Sequence, residues 1–406
     1  MLSIEQSCYW LAQRTPRDPM PLESRRDAEV AIVGAGLTGL WTALFLKGLD
    51  PGVEVAVVEQ GMAAYGASGR NAGMLSETLD HSHGLAIEHF GGDEARRLAQ
   101  LGQANVTELV EFLDHRNIQC DYQPSGRLMV ALTNPQVEEA GRTVELARRL
   151  GLDSFRLVQA VERAGAGVRV RTAAGRIEAR RAVLATSAYT HHLLPGTARR
   201  FIPLYDYILV SDPLTAGQRE MIGWRRRQGV TDGRTFFNYY RLTADDRILW
   251  GTSEATYYRG NRVDPSCDHS PAHYAALRRS FRRHFPALHS LEFPYAWGGA
   301  ICSTTRLTPF FGRALGGRVL YGLGYTGHGL GTTRLAGRIL AQQTLERPGE
   351  LLDLAMVRKK PLPYPPEPLR SLAVAAVTRA LRRVDQGKRP GMMLRLLDRL
   401  GIGFSS

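Results

Sequence analysis

An α/β chain of two domains, one Rossmann-like and one built on an antiparallel sheet, is what three stretches of this sequence predict. The first is residues 28–60, AEVAIVGAGLTGLWTALFLKGLDPGVEVAVVEQ, which reads as strand, tight turn, helix and second strand. The second is residues 182–186, AVLAT, a short apolar run of the kind buried in parallel sheets. The third is residues 202–298, where short runs rich in tyrosine and phenylalanine are broken by turn residues and one basic helix.

The strand at 28–33 ends at Gly34-Ala35-Gly36-Leu37-Thr38-Gly39. Leu37, Leu40, Trp41, Leu44 and Phe45 then recur at helical spacing, and Gly48 supplies a stop. In this pattern Gly34 makes the turn, Gly36 lets backbone approach a pyrophosphate, and Gly39 seats the helix on the strand. The helix start offers unpaired N–H groups and a partial positive charge to phosphates. The second strand, 53–58, leads into Glu59 and Gln60, and Glu59 stands where a carboxylate accepts hydrogen bonds from an adenosine ribose. A bare GxGxxG is a weak signal; strand, helix, strand and acid in register predict a dinucleotide site. An acid at position 59 favours FAD or NAD over NADP.

The remaining elements follow in order. Residues 1–26 hold Pro16, Pro19 and Pro21 with little periodicity, and predict an extended strap over the first domain. Residues 76–92 read as a linker whose His81, His83 and His89 lie at the surface or the cofactor edge, since no carboxylate partners them at metal-ligand spacing. Residues 94–116 carry Leu98, Leu101, Val106, Leu109, Val110 and Leu113 on one helical stripe. A strand at 126–132, a helix at 137–150, and strands at 157–161, 168–172 and 176–179 come next, the last two turning at Ala174-Gly175. Further strands are predicted at 202–210, 236–242 and 247–252, with Ala244-Asp245-Asp246 as the hairpin turn, and a last one at 293–298. Helices are predicted at 272–284, 330–345 and 369–384, with a proline-rich linker at 361–368.

The chain has 406 residues, enough for two cores. No apolar run approaches transmembrane length, and Cys8, Cys120, Cys267 and Cys302 show neither paired nor metal-type spacing, as in a reduced cytoplasmic protein. The net charge of +13 invites a nucleic-acid reading, but only four of 52 basic residues are lysines and no aromatic-interleaved motif accompanies the arginine runs. Such runs read as solvated faces, and a nucleic-acid partner is rejected.

Four motifs in order carry a family resemblance: GAGLTGL…VVEQG from Gly34, GASGRNAG from Gly66, YAWGG from Tyr295 and GYTGHG from Gly324. Together they resemble the FAD-dependent amine and amino-acid oxidoreductases of the D-amino-acid oxidase superfamily, nearest to the γ-glutamylputrescine oxidase-like branch. The resemblance implies a fold of the glutathione-reductase-2/D-amino-acid-oxidase type. Residues 1–90, 151–200 and 303–347 would then form the FAD domain, 91–150 and 201–302 the substrate domain, and 348–406 a C-terminal linker with basic helices. It also exposes a gap: members usually carry an extra strand and helix where only about ten residues, 151–160, stand here.

What the resemblance implies chemically is hydride transfer from the carbon beside a neutral amine to flavin N5, followed by hydrolysis of the imine in water. Gly327-His328-Gly329, opening a helix, would present N–H groups to the N1–C2=O edge, with His328 shaping the turn. Ala67, Ser68, Arg70, Asn71, Ala72 and Gly73 would line flavin and pyrophosphate, and Thr186 would pass near the cofactor. From the sheet roofing the flavin, Trp297, Tyr205, Tyr207, Tyr240 and Arg241 are the substrate-side candidates, Trp297 first. Each aromatic has a competing role as core, because period-two strands bury aromatics anyway.

Two absences refine this. Sarcosine oxidases resemble the chain around GYTGHG but carry a carboxylate-binding lysine where Gly331 stands, which favours an amine without that anchored carboxylate. No lysine occurs between Lys47 and Lys359, so the lysine that speeds reaction with oxygen in such enzymes is missing, and O2 and another electron acceptor both remain open. The expected partner is a small-molecule amine, a polyamine derivative or an amino-acid-like compound. Two alternatives stand beside this reading: a flavin-binding protein without turnover, because of the short 151–160 stretch, and an NAD-linked dehydrogenase, against which GASGRNAG and GYTGHG argue.

Overall fold

A computed structural model describes residues 3–14, 22, 24–79, 82–130, 162–164, 168–171, 176–224, 227–399 and 402. The expected helix at 137–150, the strand at 157–161, the turn at 174–175, His81 and the short 151–160 stretch lie outside those residues.

The chain enters through β1 (Arg25–Val33), α1 (Leu37–Leu49) and β2 (Val55–Val58), then α2 (Ala67–Arg70), α3 (His83–Phe90) and the long α4 (Gly92–His115). Four strands follow, β3 (Arg127–Val130), β4 (Glu162–Ala164), β5 (Val168–Arg171) and β6 (Arg176–Leu184). Next come β7 (Ile202–Pro213), β8 (Gly229–Asp232), β9 (Asn238–Leu242), β10 (Arg247–Thr252), β11 (Thr256–Tyr257), α5 (Pro271–His284) and β12 (Tyr295–Ser303). The chain then runs through β13 (Phe310–Ala314), β14 (Val319–Leu323), α6 (Gly329–Thr344) and α7 (Leu369–Asp385).

β1 lies between β2 and β6 and is parallel to both, as the apolar runs at 28–33, 53–58 and 182–186 require. The two runs expected at 176–179 and 182–186 are one continuous strand; its start also pairs antiparallel with β5. A three-stranded antiparallel unit, β13-β14-β4, stands beside them. The core of this half joins Val30, Ile32 and Val183 to Leu335, Ile339 and Leu340 of α6. Helices α1 and α6 pack almost backbone to backbone, since a Cβ at Gly337 would lie 2.8 Å from Trp41. That contact sets the two helix starts side by side.

The second half is a sheet in the order β11-β7-β10-β9-β8-β3, with β12 paired along β7. All its described pairings are antiparallel except β3 with β8. Strand β7 is its spine, and α5 covers its back through Tyr274, Leu277 and Phe281.

Three expectations need correction. The described part of the N-terminal segment is two short helices, Ile4–Ser7 and Tyr9–Ala12, not an extended strap. Ile4, Cys8, Tyr9 and Leu11 pack against Ile208, Val210, Leu249 and Trp297 of the second sheet, because their apolar side chains have a core to join there. The expected linker at 76–92 contains α3, capped by the Ser82 hydroxyl on the Leu85 N–H, and His83 is buried in it instead of lying at the surface. Burial pushes the His83 imidazole down to about 4.

Candidate active site

The two glycine turns, far apart in sequence, meet. The hydroxyl of Thr38, at the start of α1, lies 2.7 Å from Tyr325 Oη of the second turn, both residues being buried. Around this contact runs a continuous cleft of about 3560 Å³ that reaches up to the second sheet. Pockets for one small ligand span roughly 300–1,000 Å³, so the cleft has room for a dinucleotide and a substrate together.

The first turn has the form its glycines predict. Gly34 adopts a φ of +106°, and a Cβ there would stand 2.7 Å from the Ala185 carbonyl oxygen of the neighbouring strand end. A Cβ at Gly39 would overlap the Gly34 carbonyl, so only glycine lets α1 sit on β1. A Cβ at Gly36 would stand 2.9 Å from Ser68 Oγ, and the same hydroxyl accepts the Leu37 N–H at 3.0 Å. The helix start is thus open to an oxygen acceptor and already holds one. Glu59, at the end of β2, accepts the N–H groups of Ala35 at 2.8 Å and Gln60 at 2.9 Å, which fixes its carboxylate beside the turn.

The loop after β2 is held by its own side chains. Asn71 donates to the carbonyls of Ala67 and Ser68 and accepts the Gly73 N–H, so it builds the loop. Gly73, at φ +68°, gives way to Arg241, whose Nε donates to the Ala72 carbonyl at 2.6 Å. Arg241 stacks over Trp10, and burial lowers its pKa. Arg70 is buried, with Nη1 2.9 Å from Asp268 and Nε on the Tyr65 carbonyl. Burial raises the Asp268 carboxyl while the charge of Arg70 pulls it back. Arg70 Nη2 has no hydrogen-bond partner among the described residues, so a ligand oxygen or water completes it.

In the second turn His328 immediately precedes α6, and its N–H is engaged with the Tyr325 carbonyl at 2.9 Å, so it is not free for a ligand. Gly327 takes φ +89°, and the unshared N–H groups of the first turn of α6 open toward the cleft. Thr186 also lines the cleft, its hydroxyl bonded to Thr190.

The substrate-side candidates divide by the pleat. Arg241 faces the cleft. Tyr240 does not: it packs in the core against Trp224, Trp250 and Phe285. Tyr205 and Tyr207 lie on the α5 side of β7, where Tyr205 is fully buried and bonds the Asp264 carbonyl. Trp297 borders the cleft but is 1% exposed, its indole N–H given to the Arg70 carbonyl, so it anchors the loop and presents no open wall. Besides Arg241, the residues that line the cleft from β7 and β9 include Leu204, Asp206, Ile208 and Tyr239. Sequence reasoning missed Asp206, although it is the one charged residue in the otherwise apolar run IPLYDYILV and so carried a signal.

Comparison with known proteins follows the same lines. The family model described as FAD dependent oxidoreductase matches residues 29–166 and 155–343. The chain belongs to this family. FAD is therefore its cofactor, and the residues around the first turn fit it: an open helix start, a carboxylate fixed beside it and a buried arginine N–H awaiting an acceptor. The oxidoreductase is 27% identical over 390 residues to the γ-glutamylputrescine oxidoreductase of Escherichia coli, covering 83% of this chain and 88% of that one. It is 26% identical over 386 residues to a probable oxidoreductase OrdL of Haemophilus influenzae, covering 80% and 84%. Among solved structures, glycine oxidase from Geobacillus kaustophilus superposes with a TM-score of 0.61 at 17% identity, covering 82% of this chain and 99% of that one. L-proline dehydrogenase from P. horikoshii gives the same TM-score at 15% identity, covering 80% and 96%. Among the described residues no helix is long and apolar enough to cross a membrane, and no cluster of metal-ligating side chains forms.

Proposed function

We propose that this oxidoreductase oxidises a primary or secondary amine, a polyamine derivative or amino-acid-like compound, to an imine that water then hydrolyses. The observation that carries the reading is the meeting of the two glycine turns beneath the second sheet, which makes one cleft run from a dinucleotide cradle to a roofed chamber. The similarity to a γ-glutamylputrescine oxidoreductase across most of both chains supports an amine as substrate.

In this reading Gly34, Gly36, Leu37, Thr38 and Gly39 receive the pyrophosphate, Glu59 the ribose, and Gln60 borders the adenosine side. Ser68, Arg70, Ala72 and Gly73 line the flavin side with Thr186, while Ala67 and Asn71 shape the loop. Gly327, Gly329 and the start of α6 place a positive helix end where negative charge accumulates, at a preorganised site that needs no rearrangement. Bound FAD supplies the hydride acceptor. The chain itself orients the amine under the β7–β9–β12 face and excludes water with Leu204, Ile208 and Ile301. The domain division at 1–90, 151–200 and 303–347 against 91–150 and 201–302, and a cytoplasmic setting, belong to the same proposal.

Anaerobic titration of the yellow holoprotein with a panel of primary and secondary amines tests it. Bleaching of the visible flavin band by at least one amine is expected; a band that survives them all rejects amine oxidation. That second outcome would leave a flavin-binding protein without turnover, the alternative raised by the short 151–160 stretch of the sequence. Peroxide formation in air then separates O2 from another acceptor.

A further inference from the structure

Strand β7 presents a single carboxylate to the cleft. Tyr205, Tyr207 and Leu209 point into the core behind the sheet, so Leu204, Asp206 and Ile208 face the chamber. Asp206 accepts hydrogen bonds from Tyr239 Oη and from the Tyr207 N–H, the latter at 2.7 Å. Tyr239 belongs to β9, two strands away, and reaches Asp206 by lying across β10 at Gly251. A Cβ at Gly251 would overlap the Tyr239 ring, so the glycine is what admits this bridge.

The groups facing Asp206 are few. Its partner on β12 is Gly299, β10 offers Gly251, and β9 offers Tyr239 and, one pleat further, Arg241. Arg70 lays its methylenes near Gly299 but commits its guanidinium to Asp268, and Arg241 is committed to the Ala72 carbonyl. On β11, Tyr257 is hydrogen-bonded to Glu367. Among the described residues no arginine, lysine or histidine forms an ion pair with Asp206. A carboxylate walled by apolar side chains, held in place by a tyrosine and short of a cation, is a site for a cation that arrives from the cleft.

We propose that Asp206, positioned by Tyr239, binds a positively charged nitrogen of the substrate through a charge-assisted hydrogen bond. This rests on the amine reading above and adds the recognition group to it. Arg241, about 7 Å along the same face of β9 from Tyr239, leaves the site positive at one end and negative at the other. A chain with an ammonium group therefore enters in one direction. Burial pushes the Asp206 carboxyl up to about 7, against the two hydrogen bonds that pull it down, so cation binding weakens as pH falls through neutrality.

The test uses FAD-loaded full-length protein and 1,4-diaminobutane under anaerobic conditions. Binding is read by calorimetry and oxidation, separately, by flavin bleaching. Asp206→Asn keeps the shape, with Oδ1 accepting the Tyr207 N–H and Nδ2 donating to Tyr239 Oη in place of the bond received from it, so flavin content and melting temperature should stay as in the wild type. Its Kd for the diamine should rise about ten-fold to a hundred-fold, and n-butanol should bind neither protein appreciably. Tyr239→Phe removes a bond that favours the ionised carboxylate, so the acid limb of diamine binding should move to higher pH; in Asp206→Asn that limb should vanish. Equal diamine affinity in wild type and Asp206→Asn, or no binding to the wild type, overturns the proposal. Asp206-dependent binding without bleaching by any amine would retain the cation site and reject amine oxidation.

Discussion

The hydrogen bond between Thr38 and Tyr325 ties together the two turns that define the cleft, and a double-mutant cycle on it measures that tie. Both groups are buried, 7% and 8% exposed, with their oxygens 2.7 Å apart. Tyr325→Phe or Thr38→Val alone leaves the other hydroxyl short of this partner in a largely buried setting, a cost of about 1–3 kcal/mol. Removing both leaves nothing orphaned at this contact, so the double variant should cost little more than either single one. The coupling energy should be about 1–2 kcal/mol, well outside the few tenths expected of independent sites. Thr38→Val does not disturb the bond from the Thr42 hydroxyl to the Thr38 backbone carbonyl, which keeps α1 intact. Urea unfolding of the FAD-loaded protein measures the stabilities, with equal m-values required across the four proteins. Fluorescence titration with FAD measures the second consequence: if the tie sets the spacing of the turns, each single variant should bind FAD up to about ten-fold more weakly, the equivalent of about 1.4 kcal/mol. Strictly additive stabilities would refute the claim that this bond joins the two turns, whatever happened to affinity.

Other consequences are equally exposed to measurement. Gly39→Ala places a methyl inside the Gly34 carbonyl and against Ile32, where no side-chain rotation relieves it; it should cost at least about 1–3 kcal/mol and abolish retention of flavin on gel filtration. Arg70→Met leaves Asp268 buried without its cation and should destabilise by about 3–5 kcal/mol in chemical unfolding, whereas a surface pair such as Arg96–Asp93 should be worth under about 1 kcal/mol. His83 titrates near 4 when folded and near 6.5 when unfolded, so the unfolded chain binds more protons between those values. Its stabilising effect is complete above about 6.5 and is lost as pH falls toward 4, by up to about 3 kcal/mol; His83→Gln should flatten that part of the stability–pH curve.

Much of the dinucleotide half was legible because its constraints are local. Gly34 needs a positive φ, Gly39 needs to lack a Cβ, and α1 needs apolar residues at helical spacing; each is written within a dozen positions and each is met in the structure. The second turn was legible for the same reason, although His328 contributes an N–H already spent on Tyr325. The join between the turns was not legible, because Thr38 and Tyr325 are ordinary residue types whose partnership exists only once α1 and α6 have packed around Gly337.

The second sheet shows a different limit. Alternation in β7 and β9 sorts residues into two sets but does not say which set meets the core, and aromatics are enriched on either side. Taking the tyrosines as the chamber wall put Tyr205, Tyr207 and Tyr240 on the wrong face, because α5 supplies a back layer on which their rings gain more by burial than they would at an open cleft. The charged residue held the phase. Turning Asp206 into that aromatic core would cost several kcal/mol with no cation to offset it, whereas Tyr205 and Tyr207 bury with their hydroxyls bonded to the Asp264 and Cys267 carbonyls. In such a strand a solitary acid among apolar residues therefore marks the face turned away from the larger aromatic core. Applied to IPLYDYILV, that rule places Leu204, Asp206 and Ile208 toward the cleft, which is where the structure has them.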